Sequence, residues 1–323
     1  MPDRSESSVE AGVTLEQQVA RLFDAVESVS RVSDGSEKVF RVQLPRTNRD
    51  QRTVYVREVS PERIDAVQKA LDVDVRIGIP ESKLYKNDTS FLVMEVAKGR
   101  PLSTTLPFQL LPGVWRVSKT GLETAAEAVG QYLSRLHAET RRGRATPDNH
   151  PAFQRCLNYS DQFYRYLDGN LVSEVEAALS RIEGLELPVS CVFSDPTPHN
   201  VYYTNGDAEL IDYTFYYNLS IKDVITFERG IELMVHRLPY GRRSQREAIR
   251  DAFRDGYLQA DVSLEFEKEY DVFRLADYCY VLDRYLDFRL GGRSASLPER
   301  LTRYTDVRIC VSMIESLVEV INE

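Results

Sequence analysis

Apolar and polar residues alternate along residues 38–44 and again along 53–59, which is the period of half-buried strands. A second alternating pair, residues 82–86 and 91–96, flanks Asn87-Asp88 and predicts a further hairpin. Between the pairs, residues 61–71 predict one helix, with Ser60 as cap and Pro61 in its first turn. Ahead of them, Leu15, Val19, Leu22, Phe23 and Val26 recur at helical spacing after Thr14, an N-cap type, and predict a leading helix over 14–26. The order is strand, strand, helix, strand, strand.

After Gly99 and Pro101, which favour a break, the pattern turns helical. Thr120 and Glu123 form a capping box for a helix to about Glu139, with Leu122, Ala126, Val129, Leu133 and Leu136 on one face. Helices are also predicted over 153–167, 171–182, 223–236, 246–257, 266–290 and 297–322, with Gly291-Gly292 as a break. A short apolar run over 189–193 reads as a buried strand. The division expected is a tail over 1–13, a first lobe over 14–96 and a larger, mainly helical lobe over 97–323.

Composition narrows the class. The chain of 323 residues is 42% hydrophobic and 28% charged, as in ordinary soluble globular proteins long enough for a substantial core. No apolar run approaches the roughly 20 residues that cross a bilayer, and residues 1–12 lack the apolar core of a secretory signal, so a cytoplasmic protein without a membrane partner is expected. A net charge of −9 argues against a general nucleic-acid binder. The four cysteines, Cys156, Cys191, Cys279 and Cys310, show no paired metal-ligand spacing and read as buried thiols.

The stretch that carries chemistry is residues 191–218. Asn205-Gly206 between two short apolar runs is a strong signal for a two-residue hairpin turn. Pairing outward from that turn sets Thr204 against Asp207 and Val201 against Leu210. One step further, Asn200 faces Ile211, with Asp212 next along. Opposed strand positions lie about 5 Å apart, so one hard cation can touch both side chains, and Mg²⁺ suits a site with few protein oxygens and the rest water and phosphate. Pro196 and Pro198 bias Asp195 and Thr197 toward extended backbone, which brings Asp195 to the same end of the hairpin.

Asp195, Asn200 four residues beyond the next position, and Ile211-Asp212 across the hairpin resemble the catalytic segment of the aminoglycoside phosphotransferase-like small-molecule kinases, relatives of the protein kinases. The resemblance implies an α+β, two-lobed, protein-kinase-like fold with a small β-sheet N-terminal lobe. It also implies transfer of the γ-phosphoryl group of Mg-ATP to a hydroxyl of a small molecule. Asp195 would receive or orient the hydroxyl proton, and Asn200 and Asp212 would hold Mg²⁺. Residues 32–42 resemble the loop over the ATP phosphates, with Gly35 and Ser36 as contacts. Arg57 falls where the family has a phosphate-pairing lysine, and its acidic partner is left open between Glu62 and Asp65.

Residues 91–102 resemble the inter-lobe hinge, where backbone groups of Glu95, Val96 and Ala97 would contact adenine. His137 reads as structural, and Asp223 matches an aspartate that braces the catalytic loop. Arg284, Tyr285, Asp287 and Arg289 lie where acceptor-lining helices are expected. The chain departs from the family in having Phe193-Ser194 for its usual His-Gly, and arginine for lysine at Arg57. Those departures and the single glycine of the 32–42 loop keep in view a nucleotide-binding regulator that transfers nothing; a kinase acting on a protein is a third reading.

Overall fold

In the computed structural model of the protein, the first alternating segments become β2 (Val39–Thr47) and β3 (Asp50–Val59), paired antiparallel with Val42 opposite Val54. With β1 (Ser28–Arg31), β4 (Ser82–Lys86) and β5 (Ser90–Glu95) they form one antiparallel sheet in the order β1-β2-β3-β5-β4. The structure describes residues 14–32, 38–47, 50–73, 79–86, 89–104, 119–147, 159–204, 207–238, 243–258, 269–290 and 297–323. The tail at 1–13, Gly35, Ser36, Asn87-Asp88, Cys156, Asn205-Gly206 and Gly291-Gly292 lie outside the described residues.

The α+β fold clusters into two units, residues 1–64 with 80–96 and residues 65–79 with 97–323. In the first unit the inward positions of the strands, Phe40, Val42, Val54, Val56 and Phe91, gather around Val19 of α1 (Leu15–Ala20). Burying each such side chain contributes about 1.5–3 kcal/mol. The capping box that starts α1 pairs Thr14 with Gln17 reciprocally. The helix stops at Ala20, short of the expected Val26, because Leu22 and Phe23 close tighter three-residue turns onto Val19 and Ala20. Leu22, Phe23 and Val26 still pack on the sheet, so burial satisfies the helical pattern without a helix.

The helix expected over 61–71 is a 3₁₀ turn, Pro61–Arg63, followed by α2 (Ile64–Asp72). α2 is tied within the second unit. Asp65 accepts hydrogen bonds from Arg142 and from Tyr217 Oη, the latter at 3.0 Å, and the Arg142 guanidinium lies 3.5 Å above the Tyr217 ring. Two small sheets lie in this unit. One is β10 (Asp207–Leu210), β9 (Val201–Thr204) and β6 (Arg100–Pro101); the other is β11 (Tyr216–Leu219), β8 (Leu187–Val192) and β7 (Gly143–Ala145).

The helices are α3 (Lys119–Glu139), α4 (Asp161–Tyr166), α5 (Gly169–Leu179), α6 (Ile221–Arg237), α7 (Arg243–Leu258), α8 (Tyr270–Leu290) and α9 (Leu297–Asn322). One apolar cluster gathers α4, α5, α8 and α9 around Phe163, Tyr278, Leu282, Cys310 and Ile314. α6 is largely buried yet heavily charged, and four of its charges are each answered by another helix. Glu228 pairs with Arg254 of α7, Arg229 with Asp277 of α8, Glu232 with Arg274 of α8 and Arg237 with Asp306 of α9. Removing one partner of such a pair strands a buried charge.

α3 and α7 cross with their backbones in contact. A β-carbon on Gly130 would lie 2.2 Å from the Phe253 carbonyl oxygen, and one on Gly256 would lie 2.1 Å from the Glu127 carbonyl oxygen. Backbone cannot rotate aside as a side chain can. Gly256→Ala is therefore expected to force the helices apart and to lower stability by about 1–3 kcal/mol, read as a lower urea midpoint at unchanged slope.

Candidate active site

The hairpin forms in the expected register, Thr204 opposite Asp207 and Val201 opposite Leu210. Ile211 N–H donates to the Asn200 carbonyl at 2.8 Å, which continues the pairing one step and leaves Asp212 next along. Asp212 has φ 57°, a left-handed conformation that aspartate tolerates, and is exposed.

The segment from β8 to β9 is held by a bond at nearly every step. Asp223, fully buried near the start of α6, accepts from Phe193 N–H through Oδ2 at 2.5 Å and from Ser194 N–H through Oδ1 at 3.0 Å. Thr214 N–H donates to the Phe193 carbonyl, Asn200 N–H to the Thr197 carbonyl at 2.8 Å, and Ser103 N–H to the Pro198 carbonyl at 3.0 Å. Two helical turns beyond Asp223, a β-carbon on Gly230 would sit 2.5 Å from the Pro198 ring. The loop therefore follows α6 for about 10 Å.

His137 fixes Asp223 from the other side. Its Nε2 lies 3.1 Å from Asp223 Oδ2 and its Nδ1 2.8 Å from Tyr257 Oη, with all three residues buried. His137 is thus a packed bridge between α3, α6 and α7, and Asp223 braces the loop.

Asn200 turns its amide toward Asp195. Nδ2 donates to the Asp195 carbonyl at 2.9 Å and to its carboxylate Oδ2 at 3.2 Å. With the amide nitrogen engaged, the amide oxygen is the group left to act as a ligand, and the Asp212 carboxylate lies near enough to act on Asp195. Among the described residues no three His, Cys, Asp or Glu side chains gather as a metal cluster. The donor set that fits is one amide oxygen and one carboxylate, which suits Mg²⁺ with water and phosphate completing its shell. The Asp195 carboxyl is pushed up by desolvation, since protein crowds it on several sides although it stays open to solvent. Arg229, the Thr197 hydroxyl and His199 pull it down, and Asp212 pushes it further up.

The Phe193-Ser194 departure now has a structural account. Phe193 is fully buried among Tyr132, Tyr213 and Phe215, with ring centroids 5.8–6.5 Å away. Ser194 adopts φ 91°, a conformation that favours glycine.

The other expected residues fall as follows. Arg57 is buried on β3 opposite Leu92. Of its two candidate partners, Asp65 is engaged by Arg142 and Tyr217, and Glu62 accepts from Ser60 Oγ at 2.5 Å. Glu95 at the end of β5 donates its N–H to the Glu81 carbonyl and pairs its carboxylate with Arg52, so its side chain is not simply solvated. Val96 is 47% exposed. Ala97 belongs to the second unit, where Lys98 N–H donates to Glu209 Oε2 at 2.7 Å. Arg284 donates to Tyr280 Oη, Tyr285 is half-buried, and the side chains of Asp287 and Arg289 lie outside the described residues. Sequence reasoning missed Arg229 and Asp277, because their pairing across α6 and α8 leaves no spacing motif.

The sequence matches no protein-family model. It matches no curated protein. The fold does match solved structures. An amicoumacin kinase in complex with AMP-PNP and Ca²⁺ superposes with TM-score 0.54 at 14% identity, covering 95% of this chain and 94% of that one. A choline/ethanolamine kinase family protein from Mesorhizobium loti gives 0.55 at 14%, covering 95% and 97%. A glucosamine kinase in complex with glucosamine, ADP and inorganic phosphate gives 0.56 at 15%, covering 92% and 82%.

Ser194→Gly relieves the strained backbone without removing a bond that the loop uses. It is expected to raise the unfolding free energy by about 1 kcal/mol, measured by chemical denaturation.

Proposed function

We propose that this chain, whose fold is that of the protein-kinase-like small-molecule kinases, transfers the γ-phosphoryl group of ATP to a hydroxyl of a small molecule. The observation that carries the reading is the convergence of Asp195, Asn200 and Asp212 at the open end of one hairpin, with Asn200 bridging to the Asp195 carboxylate. In this proposal Asn200 and Asp212 hold Mg²⁺, whose chemistry when bound is to neutralise charge on the phosphate oxygens. Asp195 orients the acceptor hydroxyl and takes its proton as the oxygen bonds to the γ-phosphorus and the bond from that phosphorus to the β–γ bridging oxygen breaks, releasing ADP. Positioning is the larger part of the catalysis, and the bonds of Asp223 to the loop and the close packing of Gly230 against it supply it. ATP is assigned Arg57 and the backbone of Glu95, Val96 and Ala97, together with Gly35 and Ser36.

The second reading is a nucleotide-binding regulator. Arg57 in place of lysine favours it, because a planar guanidinium does not reproduce a compact ammonium against phosphate. Among the described residues no helix is long and apolar enough to cross a membrane.

Two variants test the metal assignment and the transfer reaction in turn. Asp212→Ala is expected to abolish the magnesium-dependent part of the thermal stabilisation by ATP. Equal stabilisation by ATP with magnesium and with excess chelator, unaltered by the substitution, would remove the metal assignment.

Asp195→Asn keeps size and hydrogen bonding but not the proton-accepting carboxylate. Nucleotide binding should survive while kcat falls by about 10²- to 10⁴-fold, in an assay with an acceptor found by screening ATP turnover against sugars, amino alcohols and nucleosides. Unchanged turnover excludes Asp195 as the base. Tight Mg-ATP binding with no acceptor phosphorylated by the parent protein favours the regulator.

A further inference from the structure

Four arginine–carboxylate pairs tie α6 to its neighbours, and three of them spend two arginine nitrogens on carboxylates. Arg254 holds Glu228 through Nε and Nη2, Arg237 holds Asp306 through Nε and Nη2, and Arg274 divides Nη1 and Nη2 between Asp271 and Glu232. Arg229 differs. It holds Asp277 through Nε alone, at 2.5 Å, and its two terminal nitrogens make no hydrogen bond to described residues.

Its place differs too. The next residue is Gly230, whose α-carbon is in contact with Pro198 and Thr197, so Arg229 leaves α6 where the 195–200 loop crosses it. Arg229 also acts electrostatically on Asp195. Its side chain is 15% exposed, with the guanidinium held in orientation by Asp277, which is 16% exposed. A guanidinium anchored at Nε, with both terminal nitrogens unbonded to described residues, offers a planar fork of donors to one small anion. Asp277 is neutralised by Arg229 itself, and Asp195, a further acid on which Arg229 acts, spends its carboxylate Oδ2 on the Asn200 amide.

We infer that Arg229 recognises an anionic substituent, a carboxylate or a phosphate, on the alcohol whose hydroxyl faces Asp195. The inference rests on the phosphotransferase reading for the identity of that hydroxyl and on this chain's own residues for the charge. An amine-bearing alcohol meets repulsion there; a hydroxy acid or a sugar phosphate meets the open fork.

Isothermal titration of the full chain, with magnesium and AMP-PNP saturating, tests it on a matched panel. The panel comprises glycerate and serine for carboxylates, glycerol 3-phosphate and glucose 6-phosphate for phosphates, and glycerol, glucose, ethanolamine and glucosamine as neutral and cationic counterparts. At least one anionic compound is expected to bind more tightly than its counterparts, and the arm that binds names the anion. The double variant Arg229→Met with Asp277→Asn removes the fork without stranding Asp277, and should weaken that binding about 10- to 100-fold. Asp277→Asn alone keeps the arginine and should leave the affinity equal or tighter.

A merely structural strut would make the two variants equally harmful, and that result overturns the inference. So does failure of every anionic compound to bind, or a neutral or cationic compound binding equally well to the parent and the double variant. The phosphotransferase reading fails separately. If an anionic compound binds through Arg229 and ATP never phosphorylates it, Arg229 keeps its role while the transfer reaction does not.

Discussion

The Asp223 carboxylate is the constraint on which the site depends. One buried group receives two consecutive main-chain N–H groups, those of Phe193 and Ser194, and a histidine nitrogen from α3. Consecutive N–H groups can converge on one carboxylate only if the chain bends sharply, and the φ of 91° at Ser194 is that bend. The strain has a stated cause and a stated compensation, since charge-assisted bonds to backbone are about twice as strong as neutral ones. The proposed base, Asp195, leaves the bend immediately afterwards.

The same helix that carries Asp223 carries the charges that hold the second unit together. Glu228, Arg229, Glu232 and Arg237 reach three different helices, so α6 is fixed in rotation as well as in position. The hairpin is fastened from its far side. Glu209 receives Lys98 N–H, Arg100 pairs with Tyr203, and Pro198 receives Ser103 N–H. The segment that follows Val96 is thus stitched to the two strands that Asn200 and Asp212 flank. Charged groups in the interior do not by themselves stabilise, and what this network supplies is a single permitted arrangement.

What was legible in the sequence had a local cause. The hairpin register followed from Asn205-Gly206 and the residues flanking it, and β2, β3, β4 and β5 from alternation within each strand. β1 escaped notice because Val29 alone of its four residues faces partly inward, which leaves no alternation to read. The shortened α1 was illegible for the opposite reason: its apolar spacing is real, but packing on the sheet honours it through turns. Arg229, Asp277 and Tyr257 join the site or its brace only through contacts distant in sequence, which spacing cannot reveal. The grouping of α2 with the second unit likewise depends on Arg142 and Tyr217, far along the chain from Asp65.

The glycine crossing of α3 and α7 has a metrical consequence for this site. Gly130 lies two turns before His137 on α3, and Gly256 is the neighbour of Tyr257 on α7, so the contact fixes the two ends of the His137–Tyr257 bond. From there the chain of dependence runs through Asp223 to the peptide groups ahead of Asp195. The crossing serves as the fixed origin of a ruler, with the Asp195 carboxylate as its last graduation. A displacement of a few tenths of an ångström between two helix backbones would be read out at Asp195, with no atom of the loop itself altered.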